Sequence, residues 1–100
     1  KEIHPDTFNN LHELIFLFIY NNSIKALLPN TFNNMNALVN LQISYNAIIK
    51  IHPGAFKSLP KLRILNMRAN PLLQTVDKET WDFIQTLENK IFDPHLKPID

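Results

Sequence analysis

The sequence contains no cysteine and a single glycine among its 100 residues. The first absence excludes disulfides, thiol chemistry and cysteine-based zinc sites. The second excludes the phosphate-cradling loops of P-loop and dinucleotide-binding proteins, which need several glycines at fixed spacing. Charge of one sign is also missing: ten Lys and Arg against nine Asp and Glu leave a formal charge of +1, too weak a field to gather nucleic acid or anionic lipid. The cations Lys25, Lys50, Lys57, Lys61, Arg63 and Arg68 are scattered, not set in a stripe with interleaved aromatics, which argues against nucleic acid as a partner. No apolar run approaches the roughly 20 residues that span a bilayer. The longest, "ELIFLFIY" at 13–20, is flanked by polar residues and fits a strand, so direct membrane insertion is not expected. The chain opens without Met and without a signal-peptide pattern, as expected of an excised or processed piece of a longer protein. What is present is a 45% hydrophobic share, enough for the core of one domain.

That apolar content is periodic, with an offset of 24 residues. Leu14, Leu38 and Leu62 form one column, Leu17, Leu41 and Leu65 a second, Ile19, Ile43 and Met67 a third, and Ile24, Ile48 and Leu72 a fourth. Asn22, Asn46 and Asn70 recur in phase with them. The upstream half repeats as Ile3, Leu27 and Ile51, then Pro5, Pro29 and Pro53, then Phe8, Phe32 and Phe56, then Leu11, Met35 and Leu59. Leu17 and Ile19 alternate with Phe18 and Tyr20, so each unit begins as a short strand with one face toward a core. The Asn that follows can satisfy main-chain groups at the turn, and stacking would line Asn22, Asn46 and Asn70 into a ladder. The Pro and Phe segments "IHPDTFNNL", "LLPNTFNNM" and "IHPGAFKSL" each open non-helically and then turn Phe and Leu or Met inward.

The unit L-x-x-L-x-L-x-x-N-x-I/L resembles the leucine-rich repeat family over residues 3–72. Its length, with this Pro and Phe placement, is similar to the subtype common in extracellular animal proteins such as Toll-like receptors and adhesion ectodomains. The resemblance implies an α/β solenoid, with a parallel concave β-sheet and an irregular or short helical convex side, to which the spacing of the C-terminal residues adds closure by a helix. The expected organisation is three repeats over 1–72, a helical cap or degenerate fourth repeat over 73–92, and an extended tail over 93–100. Within the second segment, Trp81, Ile84, Leu87 and Ile91 have helical spacing and Asp77 is an N-cap, which predicts a helix near 77–92. Val76 and Trp81 alternatively open a degenerate repeat with one residue inserted. Pro94 and Pro98 keep the tail extended.

Catalytic constellations are missing. His4 and His52 occupy equivalent repeat positions, His12 follows Leu11, and His95 is in the tail, so they form no metal-ligand set. Ser23, Ser44 and Ser58 have no His and Asp placed to activate them, and no oxyanion-hole glycines accompany them. Neither catalysis nor a cofactor is expected.

Solenoid curvature bends the sheet so that side chains facing away from the core share one concave surface. Alternation assigns to it Phe16, Phe18, Tyr20 and Asn21, then Asn40, Gln42, Ser44 and Tyr45, then Ile64, Asn66, Arg68 and Ala69. Phe16, Phe18 and Tyr20 form an apolar patch of the type that marks a contact. A protein ligand or co-receptor is the expected partner, and a second copy of the chain joined through the aromatic patch is another candidate. "NNS" at 21–23 is an N-glycosylation sequon with its acceptor at Asn21, beside that face. The resemblance thus implies a non-catalytic recognition or adhesion module outside the cell or on its surface. The absent cysteines and the helical end favour one alternative, an intracellular scaffold or regulatory domain, and a third reading is the substrate-recognition appendage of a larger enzyme.

Overall fold

The structure, a computed structural model, describes residues 13–19 and 24–99. In chain order they form β1 (Phe16–Phe18), β2 (Ala26–Leu27), β3 (Asn40–Gln42), β4 (Lys50–Ile51), β5 (Ile64–Asn66), β6 (Thr75–Val76), helix α1 (Lys78–Gln85), β7 (Asn89–Ile91) and β8 (Lys97–Pro98). β1, β3, β5 and β7 lie in that order in a four-stranded sheet, every pair parallel. On the opposite side β2 pairs with β4 and β6 with β8. The chain is therefore a coil of short parallel strands, a solenoid of about three turns with little helix, and its last segment adds a fourth strand to the sheet.

Register explains why the strands form. Leu17, Leu41 and Leu65 are cross-strand partners facing the core, and Leu41 and Leu65 are fully buried. Below them Leu27, Phe32, Met35, Leu38, Ile43 and Ile48 fill the interior without exposed surface. Burying each such side chain contributes about 1.5–3 kcal/mol, which is the main reason three-residue strands persist here. Between inner and outer strands the backbone makes successive i→i−3 turns. Met35 N donates to Phe32 O and Leu38 N to Met35 O, and one turn later Leu59 N donates to Phe56 O and Leu62 N to Leu59 O. Phe32 stacks on Phe56 at 6.3 Å, and Phe56 on Phe83 of α1 at 5.9 Å, so a spine of aromatic rings joins the turns to the helix.

The asparagine ladder occupies the bend after each strand. Asn46 is buried, and its Nδ2 donates to the carbonyls of Ile19 at 3.2 Å, Ile43 at 3.0 Å and Ser44 at 3.1 Å. Asn70 Nδ2 donates to the carbonyls of Ile43 and Met67, and its Oδ1 accepts from Ile48 N. Each amide thus ties its own turn to the one before it. The residue preceding each Asn, Tyr45 or Ala69, has a left-handed φ of 57° or 62°. That conformation is uncommon for residues with a Cβ, and the buried amide beside it holds the bend. Asn22, the expected first rung, lies outside the described residues, as do Ile3, Pro5, Phe8 and Leu11.

The C-terminal segment corrects two expectations and adds to a third. First, Leu72 is 54% exposed and Leu73 takes the core position after Ile48, so the repeat lengthens by one residue here. Second, the helix spans Lys78–Gln85, not 77–92. Asp77 caps it, accepting from Thr80 N at 3.1 Å. Leu87 N donates to Ile84 O in a tightened last turn, and the chain then extends, because Asn89–Ile91 finds partners along β5. Ladder pairing thereby overrides the helical spacing of Ile91, which is exposed on the sheet. Third, the end of the tail is extended and also paired: Lys97–Pro98 pairs with β6, Leu96 is buried, and Ile99 N donates to Val76 O at 2.8 Å.

Helix and repeat are consequently the same segment. With one residue inserted, Ile51 is followed by Val76, Leu59 by Ile84 and Leu62 by Leu87, all buried. At the next position Leu65 is followed by Lys90, its cross-strand partner. A lysine at an inward site ends the apolar column, one of the devices by which an edge strand resists further stacking. Asp93 finishes the last bend, its Oδ1 accepting from Ala69 N at 2.9 Å and its Oδ2 from Asn70 N at 3.0 Å.

Candidate functional site

The outward positions of the four parallel strands fall into two rows. One row is Phe16, Asn40, Ile64 and Asn89, and the other is Phe18, Gln42, Asn66 and Ile91. Strand register places them, since every second residue of a strand faces away from the buried leucines. Phe16 and Phe18 are about half exposed and their rings stack with centroids 5.9 Å apart. Ile91 is 49% exposed at the opposite edge. Between these apolar ends lie amides: Gln42 Nε2 donates to Asn40 Oδ1 at 2.8 Å, and Asn66 Oδ1 accepts from Arg68 N at 3.2 Å. Neither row contains an ionisable side chain.

Charge is confined to the rims. Where the strands begin, Arg63 Nε donates to Glu88 Oε2 at 2.7 Å, and its Nη2 contacts the same oxygen. Both side chains are well exposed, so the pair adds little stability. Where the strands end, the Arg68 guanidinium sits 5.7 Å from the Tyr45 ring centroid, a cation–π contact that spreads Arg68 along the rim.

The expected site residues divide accordingly. Phe16, Phe18, Asn40, Gln42, Ile64 and Asn66 share the face, with Tyr45 and Arg68 at its edge. Ser44 does not join them: it is only 5% exposed. β3 ends at Gln42, and the left-handed bend at Tyr45 folds Ser44 beneath the surface, where its carbonyl accepts from Asn46. Tyr20, Asn21 with its sequon, and Ser23 lie outside the described residues, as do His4 and His12. Asn89 and Ile91 were not expected on the face. The signal for them was the offset of 25 rather than 24 residues after Leu72, which carries Ile64 to Asn89 and Asn66 to Ile91.

Elsewhere, among the described residues, the surface includes two clefts. One, of about 200 Å³, lies between α1 and the preceding turn, floored by Phe56 and Phe83 and edged by the Lys57–Glu79 ion pair at 3.6 Å. The other, of about 350 Å³, lies on the convex side between β4 and β6, lined by Ile49, Ile51, Val76 and Ile99. Neither brings a nucleophile against a base. Among the described residues no group of three His, Asp or Glu is placed to hold a metal ion, and no helix is long and apolar enough to cross a membrane. His95 Nε2 is 3.0 Å from the Leu73 carbonyl, where the ring helps fix the tail.

In comparison with protein families, a model described as leucine rich repeat matches residues 1–48, 21–72 and 36–89. Comparison with curated proteins gives no match.

Proposed function

Because this chain belongs to the leucine-rich repeat family, whose domains generally mediate protein–protein interaction, we propose that it is a non-catalytic module that binds a protein ligand on its concave face. The observation that carries this reading is the uncharged face itself, with half-exposed Phe16 and Phe18 at one edge, Ile91 at the other and amides between. A few large anchors, aromatic side chains prominent among them, carry most of the energy of an interface, and contiguous exposed apolar patches mark contact sites. Tyr45 and Arg68, residue types enriched at interface hot spots, extend the surface along one rim. Affinity capture from the source tissue tests it: wild-type bait retains a partner that a Phe18→Ser, Ile91→Ser variant loses, while the variant keeps its circular dichroism and melting point. Equal recovery on both baits contradicts the assignment to this face.

The proposal places the parent protein outside the cell or on its surface, as a recognition or adhesion ectodomain. The 24-residue spacing with its Pro and Phe positions and the sequon at Asn21 support that placement. The intact mass of the native protein before and after removal of N-glycans tests it. A fall in mass supports an extracellular parent, and an unchanged mass favours the intracellular scaffold.

A further inference from the structure

Resting on the concave-face reading, we infer that the ligand is an extended polypeptide segment lying across the strands, with two apolar side chains four residues apart and no charge between them. The row Phe18, Gln42, Asn66, Ile91 carries this inference, being apolar at each end and amide in the middle. Neighbouring strands are spaced about 4.8 Å apart, so the three steps from Phe18 to Ile91 cover about 14 Å. An extended chain rises about 3.3 Å per residue and crosses that distance in about four residues. Side chains four apart on an extended segment point to the same face, so both anchors meet the sheet together.

The centre of the row selects extended backbone over helix. Gln42 gives one N–H to Asn40 and keeps its carbonyl oxygen for a ligand, while Asn66 uses its oxygen on Arg68 N and keeps its amide N–H groups. One acceptor and a pair of donors complement the N–H and C=O of a peptide group that is not already paired within its own chain. A helix has no such groups at its middle, and it presents a continuous apolar stripe that the two amides would interrupt. The residue above Gln42 and Asn66 must be small, so that the amides reach the main chain. Because neither outward row contains an ionisable side chain, a charge on the central ligand residues would be desolvated without a partner.

Selection of linear random peptides of about a dozen residues, displayed on phage, against the intact chain tests this. Enriched sequences are expected to share apolar residues at i and i+4 with a small uncharged residue at i+2. A synthetic peptide of such a sequence is expected to lose about tenfold in affinity against Asn66→Leu, and about tenfold when its anchors are moved one residue further apart. Enrichment of helical i, i+3, i+7 patterns, or affinity indifferent to both changes, overturns the inference. Should the linear peptides give no binder while a parallel selection from a library of folded scaffolds gives binders that lose affinity for Phe18→Ser, the extended segment is excluded and the concave-face reading stands. Binders of either kind that are indifferent to Phe18→Ser and to Ile91→Ser overturn both.

Discussion

The two edge strands of the sheet are built on the same register and end it differently. At β1 the inward residue is Leu17, which carries the leucine column to the first strand, and the outward residues are Phe16 and Phe18. At β7 the inward residue is Lys90, and beside it α1, Asp93 and the β6–β8 pair close the last turn. At the C-terminal edge, side chains of this chain cover the last turn, with Leu87 and Leu96 buried in it. The outward face of the sheet is asymmetric as well, with aromatic rings at one edge and a single aliphatic residue at the other.

Removal of residues 77–100 gives the largest expected effect, since it strips Ile84, Leu87 and Leu96 from the core and uncovers Leu65 and Met67. Cooperative unfolding should be lost and the protein should aggregate; a monomeric, soluble product on size exclusion would refute the closing role. Leu65→Ala, which opens a cavity between β3 and β7, is expected to cost about 2–5 kcal/mol in urea denaturation. Asn70→Ala should cost about 2–3 kcal/mol, because it leaves buried Ile43 and Met67 carbonyls and the Ile48 N–H without their amide partner. Lys90→Leu sharpens the comparison of edges most directly. Stability should change by less than about 1 kcal/mol, while self-association in analytical ultracentrifugation rises, because β7 then presents the same apolar column as the interior strands. The smallest effect on stability is expected for Phe18→Ser, within about 0.5 kcal/mol, although it should change association with other molecules more than any of these stabilising contacts do.

Much of this architecture was legible from the chain, because a solenoid repeats its physics. Leu41 and Asn46 occur again 24 residues later as Leu65 and Asn70, and Met67 stands in the surroundings of Ile43, so one spacing predicted the sheet, the core and the ladder together. Legibility failed where a residue's environment depends on its neighbours rather than on its column. Ser44 alternates correctly for an outward position, but the left-handed bend at Tyr45 buries it. Ile91 fits a helical stripe, but pairing along β5 is available to it and extends the chain. Asp93 follows Phe92, which stands 25 residues after Met67, and nothing in its local sequence announces that it accepts from Ala69 N and Asn70 N. Of the face, the rows from β1, β3 and β5 were readable, and the contribution of β7 was hidden by the inserted residue.

The concave and convex sides offer the sharpest test, because both expose apolar residues: Phe18 and Ile91 on one, Ile49 and Ile99 on the other. Calorimetric affinity of the strongest selected binder should be measured for a Phe18→Ser, Ile91→Ser protein and for an Ile49→Ser, Ile99→Ser protein. A loss of about a hundredfold confined to the first, near 2.7 kcal/mol, is the predicted result. The same loss confined to the second would contradict the account and move the binding surface to the cleft between β4 and β6.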